Sequence, residues 1–150
     1  MVSMQPDELN DFLAQAFPQG TLPMRVTAAD DRGVELVQPF DAMHLRPGGT
    51  ISGPTLMTLA DTTAFVAVVA RIGPEFLTVT SHLAIDFLRK PPPAGLRATG
   101  EVLKLGRRQA VVAIRIHSQQ ADELVAYSTC TYALPSKSSI PPATTESKPE

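Results

Sequence analysis

The chain has 150 residues, with 13 Lys and Arg against 15 Asp and Glu and a formal net charge of −2. Hydrophobic residues make up 43% and charged residues 19%, the balance of one globular domain large enough to bury its own core. The slight acidity argues against a nucleic-acid partner, because phosphate binding needs a clear basic excess. A single cysteine, Cys130, leaves no internal disulfide and no Cys-based zinc site. No apolar run is read as a membrane span. The first 17 residues contain Asp7, Glu8 and Asp11 but no Lys or Arg, unlike a signal peptide. A soluble cytoplasmic protein is the expectation.

Leu9, Phe12, Leu13, Ala16 and Phe17 recur at helical spacing, and Pro18 and Gly20 end that pattern. Met24 to Ala28 and Val34 to Gln38 alternate around Asp30-Asp31-Arg32-Gly33, which predicts a hairpin. Phe40 to Ser52 reads as a loop containing Pro47, Gly48 and Gly49. Pro54 to Arg71 is apolar on nearly every side, which predicts a buried helix, with Pro54 in its first turn and Ser52 or Gly53 as the cap. Gly73-Pro74 stops it. The period then changes to two. Leu77, Val79, Leu83, Ile85 and Phe87 alternate with Thr78, Thr80, His82 and Asp86 in a long strand that ends at Pro91-Pro92-Pro93. Leu96 to Leu105, Gln109 to His117 and Leu124 to Leu134 give three more strands. Their short connections imply antiparallel neighbours. Residues 135–150 hold four prolines and no aromatic residue, so they are expected to form a disordered tail behind a folded domain of residues 1–134. The order predicts an α+β fold, one antiparallel sheet curling around one long helix. The side of that helix left bare would need loops or another subunit, most simply a two-fold partner.

Asp61 lies too deep in the apolar helix to act as a cap, beside Thr55, Thr58 and Thr62. A carboxylate there is costly unless it is hydrogen-bonded or used. A structural Asp and a catalytic one are both open on this evidence. Gly48-Gly49-Thr50-Ile51-Ser52-Gly53-Pro54 leads into the helix start, where free N–H groups and the helix dipole can stabilise an oxyanion. Gly53 leaves room for a carbonyl to approach, although a tight turn and a cap explain the same glycines. Eight residues of helix separate Gly53 from Asp61, about 12 Å, too far to act on one carbonyl within a chain. Gly53 of one subunit facing Asp61 of another would solve this.

The loop lacks the Lys of a P-loop and the Gly-x-Ser-x-Gly of a nucleophile elbow. His44, His82 and His117 have no metal-ligand spacing, so no metal is expected. His44 is the histidine best placed to line a pocket, and His82 is read as a structural or rim residue on the polar face with Thr78 and Thr80. The pairs Arg89-Lys90 and Arg107-Arg108 are either solvated turns or phosphate contacts. Cys130 reads as core.

With these residues in view, the chain resembles the hotdog-fold thioesterases and, among them, the phenylacetate-pathway (PaaI-like) group. The resemblance spans about residues 25–134. It rests on Gly49-Thr50-Ile51-Ser52-Gly53-Pro54 with Leu59-Ala60-Asp61, on Phe87-Leu88-Arg89-Lys90-Pro91, and on Leu105-Gly106-Arg107-Arg108. It implies a curled sheet around one helix, paired as a homodimer or homotetramer with active sites at the dimer interface. It implies Asp61 as the catalytic carboxylate and the Gly53 amide as the group that polarises the thioester carbonyl. Arg89, Lys90, Arg107 and Arg108 would meet the phosphates of coenzyme A, which is part of the substrate, and no separate cofactor is implied. The sequence departs from the family pattern at three places. Ser52 stands where the family usually has His, Pro54 where it has the second Gly of His-Gly-Gly, and Arg46 where it has Asn or Gln. His44 or Ser52 would then take over the missing polar role, and Arg46 would hold Asp61 ionised or bind an acidic acyl group.

Three functions are weighed. The first is an acyl-CoA thioesterase with Asp61 as general base or nucleophile, Gly53 as oxyanion donor, and Leu56 and Phe65 against the acyl chain. The second is a hotdog domain that binds an acyl-CoA or another apolar ligand without cleaving it. The third, a dehydratase or hydratase, needs a His after the helix carboxylate, and none is present.

Overall fold

The computed structural model describes residues 2–18 and 23–136. Gly20 and most of the expected tail, from 137 onward, lie outside the described residues. Helix α1 (Pro6–Ala16) is followed by strands β1 (Arg25–Ala29) and β2 (Gly33–Gln38), a 3-10 turn at Ala42–His44, and helix α2 (Gly53–Ile72). Strands β3 (Val79–Phe87), β4 (Leu96–Leu105), β5 (Gln109–Ser118) and β6 (Leu124–Ala133) complete the order.

The six strands form one sheet in the order β1-β2-β4-β5-β6-β3, with every neighbour antiparallel. The β1–β2 turn closes because the Asp30 carboxylate accepts from the N–H groups of Arg32 and Gly33 at 2.8 and 3.1 Å. Those bonds hold its pKa below the usual carboxylate value. Gly33 is fixed by close approach, since a Cβ there would run into the Gly100 carbonyl of β4. The Asn10 side chain of α1 donates to Val26 O and accepts from Val26 N, which ties the helix to the outer edge of β1.

Helix α2 begins at Ser52, whose Oγ accepts from Thr55 N–H at 3.3 Å. By length and composition α2 is apolar enough to cross a membrane, contrary to the sequence reading. However, 67% of its most apolar window is buried inside the domain. It is the core helix, with Leu59, Ala60, Ala64, Val66, Ala67, Val68 and Val69 fully buried. The sheet wraps it and α1 closes over it, with Phe12 of α1 stacking on Phe65 of α2 at 5.9 Å between ring centroids. This is the hotdog arrangement. The apolar surface left bare therefore lies less on α2 than around β3, where Phe76, Leu77, Val79, Phe87 and Leu88 are exposed.

One irregularity repositions the site. Strict alternation puts Thr78, Thr80 and His82 on one outer face of β3. A bulge between Thr80 and His82 shifts the phase, so Thr80 pairs with Tyr132 and His82 with Thr131. Thr80 consequently faces the helix with Tyr132, and His82 faces away with Thr131.

Candidate active site

Asp61 is partly buried in the third turn of α2. Its hydrogen-bond partners are not the threonines of its own helix. Thr55 bonds Ser52, and Thr58 donates back to the Pro54 carbonyl. Instead Thr80 Oγ1 donates to Asp61 Oδ1 at 2.6 Å, and Tyr132 OH donates to the same oxygen at 2.7 Å. The Tyr132 hydroxyl also lies 2.9 Å from the Asp61 carbonyl oxygen. Thr80 and Tyr132 are cross-strand neighbours, so the sheet presents two hydroxyls side by side to one carboxylate oxygen. Oδ2 takes no bond from the described residues. Burial, with the negative charge of Asp61 beside it, keeps the Tyr132 phenol ionising well above its usual range, so it remains a donor. Composition and spacing offer no signal linking Tyr132 to Asp61, 71 positions away in sequence. Thr80 is present in the sequence reading only as a residue of the polar face.

Asp61 opens onto a pocket of about 310 Å³. Its walls include Phe17 at the end of α1, Thr62 and Phe65 of α2, Phe76, Thr78 and Tyr132. Ring contacts continue around it. Phe17 meets Phe65 edge-on at 6.1 Å, Phe12 stacks on Phe76 at 4.7 Å, and Phe65 lies 6.2 Å from Tyr132.

Gly53 belongs to a second pocket of about 290 Å³, with Arg46, Leu56, Phe87, Arg89 and Lys90. The Gly48-Gly49 turn beside it is held by Arg46 N–H on Thr50 O and Gly49 N–H on Arg46 O, at 2.9 and 3.1 Å. A Cβ on Gly53 would sit 3.4 Å from the Phe87 ring, so the glycine keeps the helix start open against the end of β3. As the first residue of α2, Gly53 has an N–H without an intrahelical acceptor. Three cations and no acidic residue line this pocket. Arg89 is anchored there by donating Nη1 to Leu124 O at 2.9 Å.

The remaining sequence candidates fall elsewhere. Arg107 and Arg108 line a third pocket of about 790 Å³ with Glu75, Leu134 and Pro135. His44 pairs through Nδ1 with Gln38 Nε2 at 3.3 Å, below the glycine loop. Ser52 serves the helix cap, and Pro54 is exposed in the first turn of α2. The structure thus gathers Arg46, Gly53, Leu56, Arg89 and Lys90 at one end of α2. It places Asp61 and Phe65 in a different pocket of the same chain. The arrangement supplies an anion-friendly helix start with cations and, separately, a carboxylate held by hydroxyls over an apolar hollow.

Comparison with known proteins places this geometry. Residues 48–125, from the glycine loop to the start of β6, match the profile of the thioesterase superfamily. The structure superposes on a protein from Silicibacter sp. TM1040 named as a candidate thioesterase, with 36% identity and a TM-score of 0.82, over 90% of this chain and 94% of that one. The fold is shared with zebrafish thioesterase superfamily member 2 (19% identity, TM-score 0.78, 89% and 100% covered). It is shared also with the Escherichia coli PaaI protein from the phenylacetic acid degradation operon (22%, 0.71, 87% and 95%). A comparison with curated proteins gave no match. The chain belongs to the thioesterase superfamily.

Proposed function

We propose that the protein hydrolyses the thioester bond of an acyl-CoA, using Asp61 of one subunit and the Gly53 amide of its partner. The observation that carries this reading is the Asp61 carboxylate, fixed through Oδ1 by Thr80 and Tyr132 with Oδ2 left to work. Oδ2 takes a proton from water as the water oxygen attacks the thioester carbon. Negative charge then grows on the carbonyl oxygen, where the Gly53 N–H and the α2 dipole stabilise it. As the C–S bond breaks, the proton passes to the sulfur, giving a free acid and coenzyme A thiol. Attack by Oδ2 itself, through a mixed anhydride, is the other route. Incorporation of heavy oxygen from water into Asp61 separates the two.

The exposed edge of β3 supports the dimer. This nine-residue strand is the last in the sheet, its outer edge is unpaired among the described residues, and it carries exposed Val79 and Phe87. Such an edge is a template for a second strand. Antiparallel pairing of β3 with its copy about a two-fold axis sets the Phe87 end of one strand against the Val79 end of the other. Gly53 lies against Phe87, and Asp61 is bonded to Thr80. The pairing therefore joins the two half-sites that one chain keeps apart. It also turns Arg46, Arg89 and Lys90 toward the partner's Arg107 and Arg108, a basic rim suited to the phosphates of coenzyme A.

One observation favours a second reading, binding without hydrolysis. The Ser52 hydroxyl, where the family usually has His, is engaged by Thr55 at 2.8 Å. Thiol release from short, medium, long and aromatic acyl-CoA esters decides between the two. Turnover that disappears in Asp61→Asn, with the fold intact, supports hydrolysis. Ester binding without turnover in the wild type supports the second reading.

A further inference from the structure

We infer that Thr78 is a specificity residue: its hydroxyl reads a hydrogen-bonding atom on the acyl group, so the pocket favours acyl groups that carry a hydroxyl, oxo or amino substituent. The inference rests on the thioester-hydrolysis reading of the Asp61 pocket. Thr78 is 6% exposed and lines that pocket. Its Oγ1 is fully buried and has no hydrogen-bond partner among the described residues. A buried hydroxyl is normally satisfied, and one left open in a ligand pocket calls for a partner from the ligand. The neighbouring hydroxyls behave differently, since Thr80 and Tyr132 are both committed to Asp61. Phe17, Phe65 and Phe76 offer only apolar surface. Thr62 of α2 adds a second hydroxyl to this wall, and Thr78 is the wall group whose hydroxyl is fully buried and unpartnered among the described residues.

The spacing sets where the substituent must lie. Thr78 immediately precedes β3, two residues before Thr80, so the two lie at most about 7 Å apart along the chain, and Thr80 marks the position of the working carboxylate. The recognised atom therefore sits a few bonds from the thioester carbon. An acyl group that places an apolar segment between carbonyl and substituent meets the phenylalanines in between. A plain acyl group of the same length fills the pocket but leaves Oγ1 unpaired, and sites built to hydrogen-bond a substituent discriminate strongly against analogues that lack it.

The test uses matched pairs of coenzyme A esters, one linear and one aromatic, each with and without a hydroxyl at that distance. Their kcat/KM values are measured on wild type, Thr78→Val and Thr78→Ser. The wild type is expected to prefer the hydroxylated member by tenfold or more, equivalent to 1.4 kcal/mol. In Thr78→Val the preference should fall to about one, through a loss on the hydroxylated ester greater than that on the plain ester. Thr78→Ser should keep it. Whichever pair shows the larger preference identifies the shape of the acyl group. A wild type without preference, or a Val variant that retains it, overturns the inference. If no ester is cleaved, the hydrolysis reading fails separately. The free hydroxy acid and plain acid are then compared by thermal stabilisation of wild type and Thr78→Val. A hydroxyl preference lost in the variant sustains the role of Thr78, and equal stabilisation by both acids overturns it.

Discussion

Replacing Tyr132 with Phe removes one oxygen from a side chain that is 3% exposed, and leaves the ring packing intact. The lost hydroxyl donates to Asp61 Oδ1 at 2.7 Å. A hydrogen bond to a charged group contributes about 1.5–3 kcal/mol. Thr80 still holds the same oxygen at 2.6 Å, so the carboxylate keeps one of its two anchors. If the two hydroxyls serve to aim Oδ2, kcat falls by about 10- to 100-fold in Tyr132→Phe, at about 1.4 kcal/mol per tenfold. KM should stay within about twofold, because the hydroxyl lies outside the basic pocket that would hold coenzyme A. Thr80→Val should behave alike. With both hydroxyls gone the carboxylate can rotate, so the double variant should lose more than the product of the two single losses, a coupling of about 0.5–3 kcal/mol. Steady-state thiol release for the four proteins of this cycle, with melting temperatures alongside, reads all of it. A kcat for Tyr132→Phe within twofold of wild type, or a loss confined to KM, would refute the aiming role.

Gly33→Ala should destabilise the domain by about 2–4 kcal/mol, since its Cβ meets the Gly100 carbonyl and the β2–β4 pair must part; an unfolding free energy from denaturant titration within about 0.5 kcal/mol of wild type would contradict this. Arg46→Ala and Lys90→Ala should raise KM for coenzyme A esters with kcat little changed, and leave KM for esters of a thiol lacking phosphates unaltered. Equal effects on both kinds of ester would place the phosphates elsewhere. Burial pushes the Cys130 thiol up from 9.0 to about 11. The unfolded thiol therefore ionises first, and its contribution to stability is whole below pH 9 and lost as pH rises toward 11. Two pH units correspond to about 2–3 kcal/mol. Cys130→Ala should start less stable but decline less steeply over that window, and parallel stability curves for the two proteins would refute the assignment.

The helices and strands were legible because each segment carries one clear period, from the all-round apolar α2 to the alternating strands. Asp61 stood out for the same reason, as a carboxylate inside an apolar helix. What holds Asp61 was not legible. The bulge after Thr80 reverses the faces of β3, and alternation alone assigns Thr80 to the wrong side. Tyr132 reads as one more aromatic residue in the last strand, and only the β3–β6 register sets it opposite Thr80. The aromatic pocket was hidden as well, because Phe12, Phe17, Phe65 and Phe76 come from three separate stretches of chain. The bare surface was misplaced for a related reason. Periodicity shows that α2 is apolar all round, but it cannot show that α1 folds back over it.

The central claim is that each active site draws Asp61 from one subunit and Gly53 from the other. Asp61→Asn removes the base, and Gly53→Pro removes the N–H donor at the start of α2. The two variants, each carrying a different affinity tag, are co-expressed and the mixed dimer is isolated through both tags. Each homodimer should release no thiol from acyl-CoA. The mixed dimer has one site with both defects and one with neither, so it should recover about half of the wild-type rate per dimer. A mixed dimer as inactive as its parents, with its fold intact, would contradict a site shared between subunits.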